Sequence, residues 1–264
     1  MSPINTVSRH EYCAVALADA LLGSGELLVS PIGVLPSIAA RLAKLTSEPG
    51  LLLTDGVATL MATVPAVGPA NPSAADFIAE GYMPYRSIFD VVWAGKRHVI
   101  MGATQIDRFG NQNISAVGDW SKPTAQLLGM RGAPGNTINH PTSYFVPNHS
   151  RRVFVDKVDV VSGVGYDRAR KLGDAARFHR LVRVVSNLGV FDFGGPDNCM
   201  RLCFVHPGVT QADVERETSF QLAMAPDLGP TREPTAEELR LLREVVDPQR
   251  LGARELPEPS KERT

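Results

Sequence analysis

Within the first 54 residues the apolar pattern switches period three times, helix, strand, helix, strand. That alternation restricts the chain to an α/β architecture with a parallel sheet. Ser8 and Glu11 stand three residues apart at the head of a run in which Val15, Ala18 and Leu22 recur, a capping box followed by an amphipathic helix that Gly23 and Gly25 stop. Leu27–Val29 reads as a short buried strand, Ser30-Pro31-Ile32-Gly33 as a turn, and Val34–Leu45 as a second helix entered through Pro36. Leu51–Thr54 is a second apolar strand ending in the turn Asp55-Gly56, and His98–Met101 is a third. Strand-like runs follow at Tyr144–Val146, Arg152–Val155, Leu181–Val185, Gly189–Phe193 and Met200–Val205. Thr210 with Asp213 and Thr235 with Glu238 open two further helices. The expected fold is one α/β domain over residues 1–252, an open, mostly parallel sheet wrapped by helices. A mobile, charged, Pro-containing tail is expected over 253–264.

Composition removes several classes of function. Lys plus Arg is 27 and Asp plus Glu 28, a formal charge of −1, so the basic footprint of a nucleic-acid binder is missing. The uncharged stretch Leu27–Ala40 is interrupted by Pro31 and Pro36 and is too short to span a bilayer. No apolar segment follows Met1, and three cysteines suit a reducing compartment, so a cytoplasmic protein is expected. The 23 Gly and 20 Pro concentrate in residues 61–85 and 129–147. These are the places where long loops would meet a ligand or a partner.

Common catalytic motifs are missing: there is no Walker loop, HExxH or GxSxG. Cys199 and Cys203 lack the second pair a metal site needs, and the six histidines show no ligand spacing, so no metal is expected. His140 and His149 flank the Gly/Pro segment and read as surface-loop residues. Arg168–Arg183 is locally basic, which fits a solvated face, a phosphate-bearing ligand or an acidic partner. Gly129, Gly132 and Gly135 could cradle a ligand or form a plain loop. Ligands of open α/β sheets collect beyond the carboxyl ends of the strands, where Asp55 and Asp107 fall, whereas Glu48 precedes its strand. A strand-end Asp can equally be a turn-former.

The run Gly102-Ala103-Thr104-Gln105-Ile106-Asp107-Arg108-Phe109-Gly110-Asn111-Gln112-Asn113 resembles the G-A-x-Q-[VI]-D-x-x-G-N-x-N segment of family I CoA-transferase β subunits. Phe154–Asp159, His206-Pro207-Gly208-Val209-Thr210 and Pro234–Leu239 resemble further segments of that family, in the same order. The resemblance implies a CoA-transferase-like (NagB/RpiA-like) fold and a two-part enzyme, with an α-subunit partner, α2β2 assembly and an active site between the halves. CoA enters as part of the substrate, and no separate cofactor is implied.

The family nucleophile is a Glu in an E-[SN]-G turn that forms acyl and CoA thioester intermediates. Here the matching stretch is Leu51-Leu52-Leu53-Thr54-Asp55-Gly56, without Glu, and Glu48 in Ser47-Glu48-Pro49-Gly50 copies the letters at the wrong end of the strand. Gly129-Met130-Arg131-Gly132-Ala133 resembles the family's G-x-G-G-A loop, with Arg131 in place of Gly. These departures resemble the family's branch of hydrolases that open steroid rings as CoA esters in actinobacterial cholesterol catabolism. That resemblance implies retro-Claisen C–C cleavage of a cyclic 1,3-dioxo acyl-CoA, with the catalytic Glu on the α subunit. Asp55 is then a vestigial nucleophile turn. Gly56, Gln105, Asn111, Asn113, Gly129, Arg131 and Gly132 are expected at the substrate pocket or its supporting architecture. The alternatives are a CoA-transferase β subunit that uses Asp55 and a non-catalytic stabilising subunit.

Overall fold

The computed structural model describes residues 6–56, 58–68, 78–91 and 94–258. Helix α1 (Arg9–Asp19) starts at the expected capping box, with Ser8 Oγ donating to Glu11 at 2.9 Å and Glu11 accepting the Ser8 N–H at 2.8 Å. It leads to β1 (Leu28–Pro31) and to α2 (Val34–Leu45), whose bounds match the sequence reading. A hairpin arm follows, β2 (Thr59–Met61) and β3 (Ala79–Tyr82), then a helical turn ending in α3 (Ile88–Val91) and the buried strand β4 (Arg97–Met101). Two small hairpins come next, β5 (Gln105–Ile106) with β6 (Gln112–Asn113) and β7 (Ala116–Val117) with β8 (Ala125–Gln126). The chain continues through α4 (Ala133–Asn139), β9 (Pro141–Val146), α5 (Tyr166–Ala169), β10 (Arg180–Ser186), β11 (Gly189–Asp192) and β12 (Arg201–Val205). It closes with α6 (Gln211–Arg216), β13 (Ala223–Pro230), α7 (Ala236–Arg240), which runs into a wide turn over Leu241–Val246, and α8 (Leu251–Glu255).

Seven strands form one sheet in the order β1-β4-β9-β10-β11-β12-β13. Pairing is parallel except at β10–β11 and β11–β12, so the sheet is mostly parallel, as expected. One face carries α1 and α2 over Val29, Ile100, Phe145, Val185 and Val190. The other face buries Val99, Met101, Tyr144, Val184 and Phe191 beneath α4, α6 and the loops between them. Removing these side chains from water is the main stabilising term, and burial on both faces explains why the strands read as continuous apolar runs.

Several expectations are corrected. Ser30 and Pro31 belong to β1 rather than to a turn, with Pro31 in register with Ile100. Proline is tolerated there because β1 is an edge strand. Leu51–Thr54 makes only single bridges, Leu52 to Leu28 and Thr54 to Leu60. Arg152–Val155 is a turn from which Phe154 alone bridges to Ile106. Part of residues 61–85 is the ordered arm β2–β3, and residues 69–77 of that stretch lie outside the described residues. β13 escaped notice because Pro226, Gly229 and Pro230 break its pattern, which the far edge of the sheet tolerates.

The charged tail begins later than residue 253. α8 packs on α2, and the Glu255 carboxylate accepts the N–H groups of Val34 (3.3 Å) and Leu35 (2.6 Å). Gly33, at φ 122°, has no side chain with which to cap α2, so a distant carboxylate satisfies the helix start. Residues 259–264 of the expected tail lie outside the described residues.

Candidate functional site

Topology brings the expected site residues to one edge. Leu52 bridges parallel to Leu28, so Asp55 follows in the direction in which β1 ends. The hairpin β5–β6 leaves the carboxyl end of β4. α4 is the crossover from β4 to the parallel β9, so its start at Gly132 lies at that same carboxyl edge.

Asp55 is exposed and engaged by its own turn. Its Oδ1 accepts the N–H groups of Ala58 (2.9 Å) and Thr59 (3.0 Å), and its own N–H donates to Thr59 O at 3.0 Å. Gly56 sits at φ 80° and donates to Thr54 Oγ1 at 2.7 Å. This is the geometry of a turn-forming Asp, with the carboxylate turned toward backbone donors. Glu48 is spent in the same way, accepting the N–H groups of Gly23 (2.6 Å) and Gly25 (2.9 Å) and so fixing the loop between α1 and β1.

Gln105, Asn111 and Asn113 form a buried polar scaffold. Gln105 Oε1 accepts from Asn113 Nδ2 (2.7 Å) and from the Asp159 N–H (3.0 Å), while its Nε2 donates to Asp159 Oδ2 (2.9 Å). Asn111 Nδ2 donates to Asp107 (2.9 Å) and Asp167 (2.8 Å), and its Oδ1 accepts the Gly165 N–H (2.8 Å). Burial pushes Asp107 up to about 6 against the lowering effect of its Asn111 and Phe109 donors, with the Asp167 charge adding to the rise. Gly110, at φ 81°, is obligatory, because a Cβ there would stand 2.3 Å from the Leu181 side chain. Their donors and acceptors are taken, so these residues hold the edge in shape and present little that is free to act on a substrate.

The loop over 129–132 differs. Gly129 (φ 84°) and Arg131 (φ 48°) both take the left-handed conformation, which costs an arginine and is natural for glycine. Arg131 is exposed and flanked by exposed Leu128 and Met130, with exposed Trp120 on the preceding loop. This is the part of the edge best able to meet a ligand or another chain.

Sequence reading misplaced two histidines. His140 is fully buried, and His149 is buried and stacked on Phe154 with ring centroids 3.6 Å apart. His149 Nδ1 lies 2.9 Å from Ser186 Oγ and its Nε2 3.0 Å from Thr218 Oγ1, so it is a core residue whose protonation burial suppresses to about 3. Most of the basic stretch over 168–183 is exposed, as a solvated face would be. Its Arg183 lies 3.3 Å from Asp192, which also takes Arg201 in a two-point pair, beside an open cleft of about 250 Å³. Among the described residues no His, Cys, Asp or Glu cluster could hold a metal ion, and no helix is long and apolar enough to cross a membrane.

The chain is 59% identical over 253 residues to the "Cholesterol ring-cleaving hydrolase IpdB subunit" of Rhodococcus jostii, a match covering 96% of this chain and 98% of that protein. The chain belongs to the IpdB family. The crystal structure of Rhodococcus jostii RHA1 IpdAB superposes on it with a TM-score of 0.89, covering 96% of this chain and 99% of that one. The IpdB family sits within a wider group of CoA-transferase subunits. A 3-oxoadipate CoA-transferase subunit of Pseudomonas knackmussii is 32% identical over 248 residues, covering 91% of this chain and 94% of that protein. No protein-family model matches the chain.

Proposed function

We propose that the chain is the β subunit of a heteromeric acyl-CoA hydrolase. It would open a ring of a steroid-derived cyclic 1,3-dioxo acyl-CoA by retro-Claisen C–C cleavage, together with an α subunit in an α2β2 assembly in the cytoplasm. The observation that carries this reading is the full-length identity to a ring-cleaving hydrolase subunit whose solved structure is a two-component complex. The local chemistry supports it. In the family, a transferase needs a nucleophilic Glu at the position where this chain has an Asp held by its own backbone.

Ring opening by water needs no covalent nucleophile from this chain. A positioned base activates water, water adds to the ring ketone, and the C–C bond breaks so that the carbon next to the thioester leaves as an enolate. Protonation of that carbon completes the hydrolysis. We place the catalytic Glu on the α subunit. Gly56, Gly129, Arg131 and Gly132 are assigned here to the pocket wall, with Gln105, Asn111 and Asn113 behind it. CoA is part of the substrate, and no separate cofactor is assigned.

The test is to purify the chain with and without its α partner and follow CoA-ester ring cleavage. Turnover is expected only from the complex, and steady turnover by the chain alone would refute the reading. Borohydride treatment in the presence of acyl-CoA separates the transferase alternative, since a reduced adduct on Asp55 would establish it instead.

A further inference from the structure

The corner where β1, β4 and β9 begin carries a charge that no described residue neutralises. Arg97 is only 8% exposed. Its Nε donates to Ser30 Oγ at 2.7 Å and its Nη1 to Asn136 Oδ1 at 3.0 Å, both neutral acceptors. Two of the five N–H donors of the guanidinium are thereby used. Among the described residues no carboxylate stands within ion-pair distance of it, whereas most other well-buried charged side chains, such as Glu11 and Glu238, have opposite-charge partners. Its Nη2 is not enclosed and touches solvent.

A second anomaly lies on the next strand. Val99 pairs with Thr142, so two residues earlier Arg97 stands opposite His140. His140 is fully buried and neither of its ring nitrogens has a hydrogen-bond partner. Burial and the nearby Arg97 charge hold it neutral, down to about 4, and neither its neutral nor its cationic form is a counter-charge to an arginine. Burying an unpaired guanidinium beside an unsatisfied imidazole is costly, and such groups call for a missing partner.

The surroundings suit another protein chain. Tyr85 is close enough for its phenol to act electrostatically on Arg97. Tyr85 and Phe89 are 63% and 64% exposed and contact each other edge to face. Beyond Arg97 the sheet ends at its edge strand β1. Exposed aromatics around an arginine that lacks its counter-ion have the composition of an interface centre.

We propose that the Arg97 guanidinium receives a carboxylate side chain of the α subunit, which makes this corner part of the subunit interface. The inference rests on reading the chain as one half of a two-subunit enzyme. Arg is suited to the role because its planar fork binds a carboxylate at two points. Closure by the partner shields the pair from water, so one contact can set both affinity and orientation.

The test uses the co-purified complex and its subunit dissociation constant across a salt series. Arg97→Met is expected to weaken association by at least ~30-fold and to flatten the salt dependence, as loss of one partner of an interfacial charge pair does. Arg97→Lys should recover part of the affinity, since it keeps the charge and loses the fork. Ser30→Ala removes a neutral acceptor of the same guanidinium and should change the constant by only a few-fold. Three outcomes would overturn the proposal. The first is unchanged affinity and salt dependence in Arg97→Met. The second is a full loss reproduced by Ser30→Ala, which would make Arg97 a local packing element. The third is intact subunit affinity with a KM for the acyl-CoA raised more than ~10-fold, which would assign the carboxylate to the substrate. Failure of wild-type chains to associate would instead refute the two-subunit reading itself.

Discussion

Two buried polar regions of this molecule stand in opposite states. In the β5–β6 hairpin, Gln105, Asp107, Asn111 and Asn113 satisfy one another and the backbone around them, and of its buried side-chain atoms only the Gln112 Oε1 lacks a partner among the described residues. At the corner beneath α4, among the described residues, Arg97 lacks a counter-ion and the His140 ring lacks any hydrogen-bond partner. Both sets of side chains are buried, apart from the Arg97 Nη2 that touches solvent. The difference teaches how to read a buried polar residue. A closed network is architecture, complete within one chain, whereas an open one marks a place where the chain expects something else.

The sharpest way to break that contrast is to open the closed network. Asn111→Ala would leave the Asp107 carboxylate, the Asp167 carboxylate and the Gly165 N–H each short of a bond in a buried setting. The expected loss is about 3–5 kcal/mol of stability, read by chemical denaturation of the complex. A loss under ~1 kcal/mol would mean that water reaches the hairpin and that its closure is only apparent.

Next in size is the response to acid. His98, His140, His149 and His206 are held neutral by burial, near 3, 4, 3 and 4, against about 6.5 unfolded. The unfolded chain therefore binds more protons between those values, so the stability they contribute is present above pH ~6.5 and is lost as pH falls toward ~4. Asp107 works the other way. Its folded value near 6 lies above its unfolded one, so it gains stability as pH falls across that same window. These four groups oppose one, and burial lowers His10 and His179 in the same direction, so unfolding should take up at least about three protons near pH 5, a slope of about 4 kcal/mol per pH unit or more. Thermal midpoints measured from pH 7 to 4.5 should fall steeply. A flat profile would show that at least some of these rings are not buried in solution.

A smaller effect is expected at the turn that the family uses for chemistry. Asp55→Ala removes acceptors for two exposed N–H groups, which water can replace. The stability cost should be about 1 kcal/mol or less. Ring-cleaving turnover of the complex should persist within ~3-fold, since the residue acts on its own turn. Loss of turnover by several orders of magnitude would return Asp55 to the chemistry and favour the transferase.

Much of the fold was legible because it rests on local rules. The capping boxes at Ser8, Thr210 and Thr235 and the twelve-residue α2 follow from spacing alone. The carboxyl edge of the sheet was legible for the same reason, since strand–helix alternation dictates which loops meet there. The misses share one cause, dependence on long-range contact. His149 sits among Gly, Pro and Arg and resembles a loop residue until Phe154, Ser186 and Thr218 close around it. Glu255 reads as tail charge until α2 presents unsatisfied N–H groups to it. Arg97 drew no attention at the head of an apolar strand. Only its burial and the lack of a counter-ion among the described residues distinguish it from an ordinary surface arginine.

The smallest expected effect completes the comparison from the other side. The His140 ring makes no hydrogen bond among the described residues, so replacing it by Leu removes no side-chain bond that the chain currently uses. Apolar substitution of an unsatisfied buried group of similar size is near neutral or stabilising, and His140→Leu should shift stability by no more than ~1 kcal/mol, with either sign. The same substitution should also remove one proton from the acid response, because His140 is one of the four rings that must charge on unfolding. These two readouts together separate an idle ring from a working one. A destabilisation of ~2 kcal/mol or more would show that a bound water or a partner group already satisfies the imidazole. The corner would then be closed in the same sense as the β5–β6 hairpin, and the distinction between the two regions would fall.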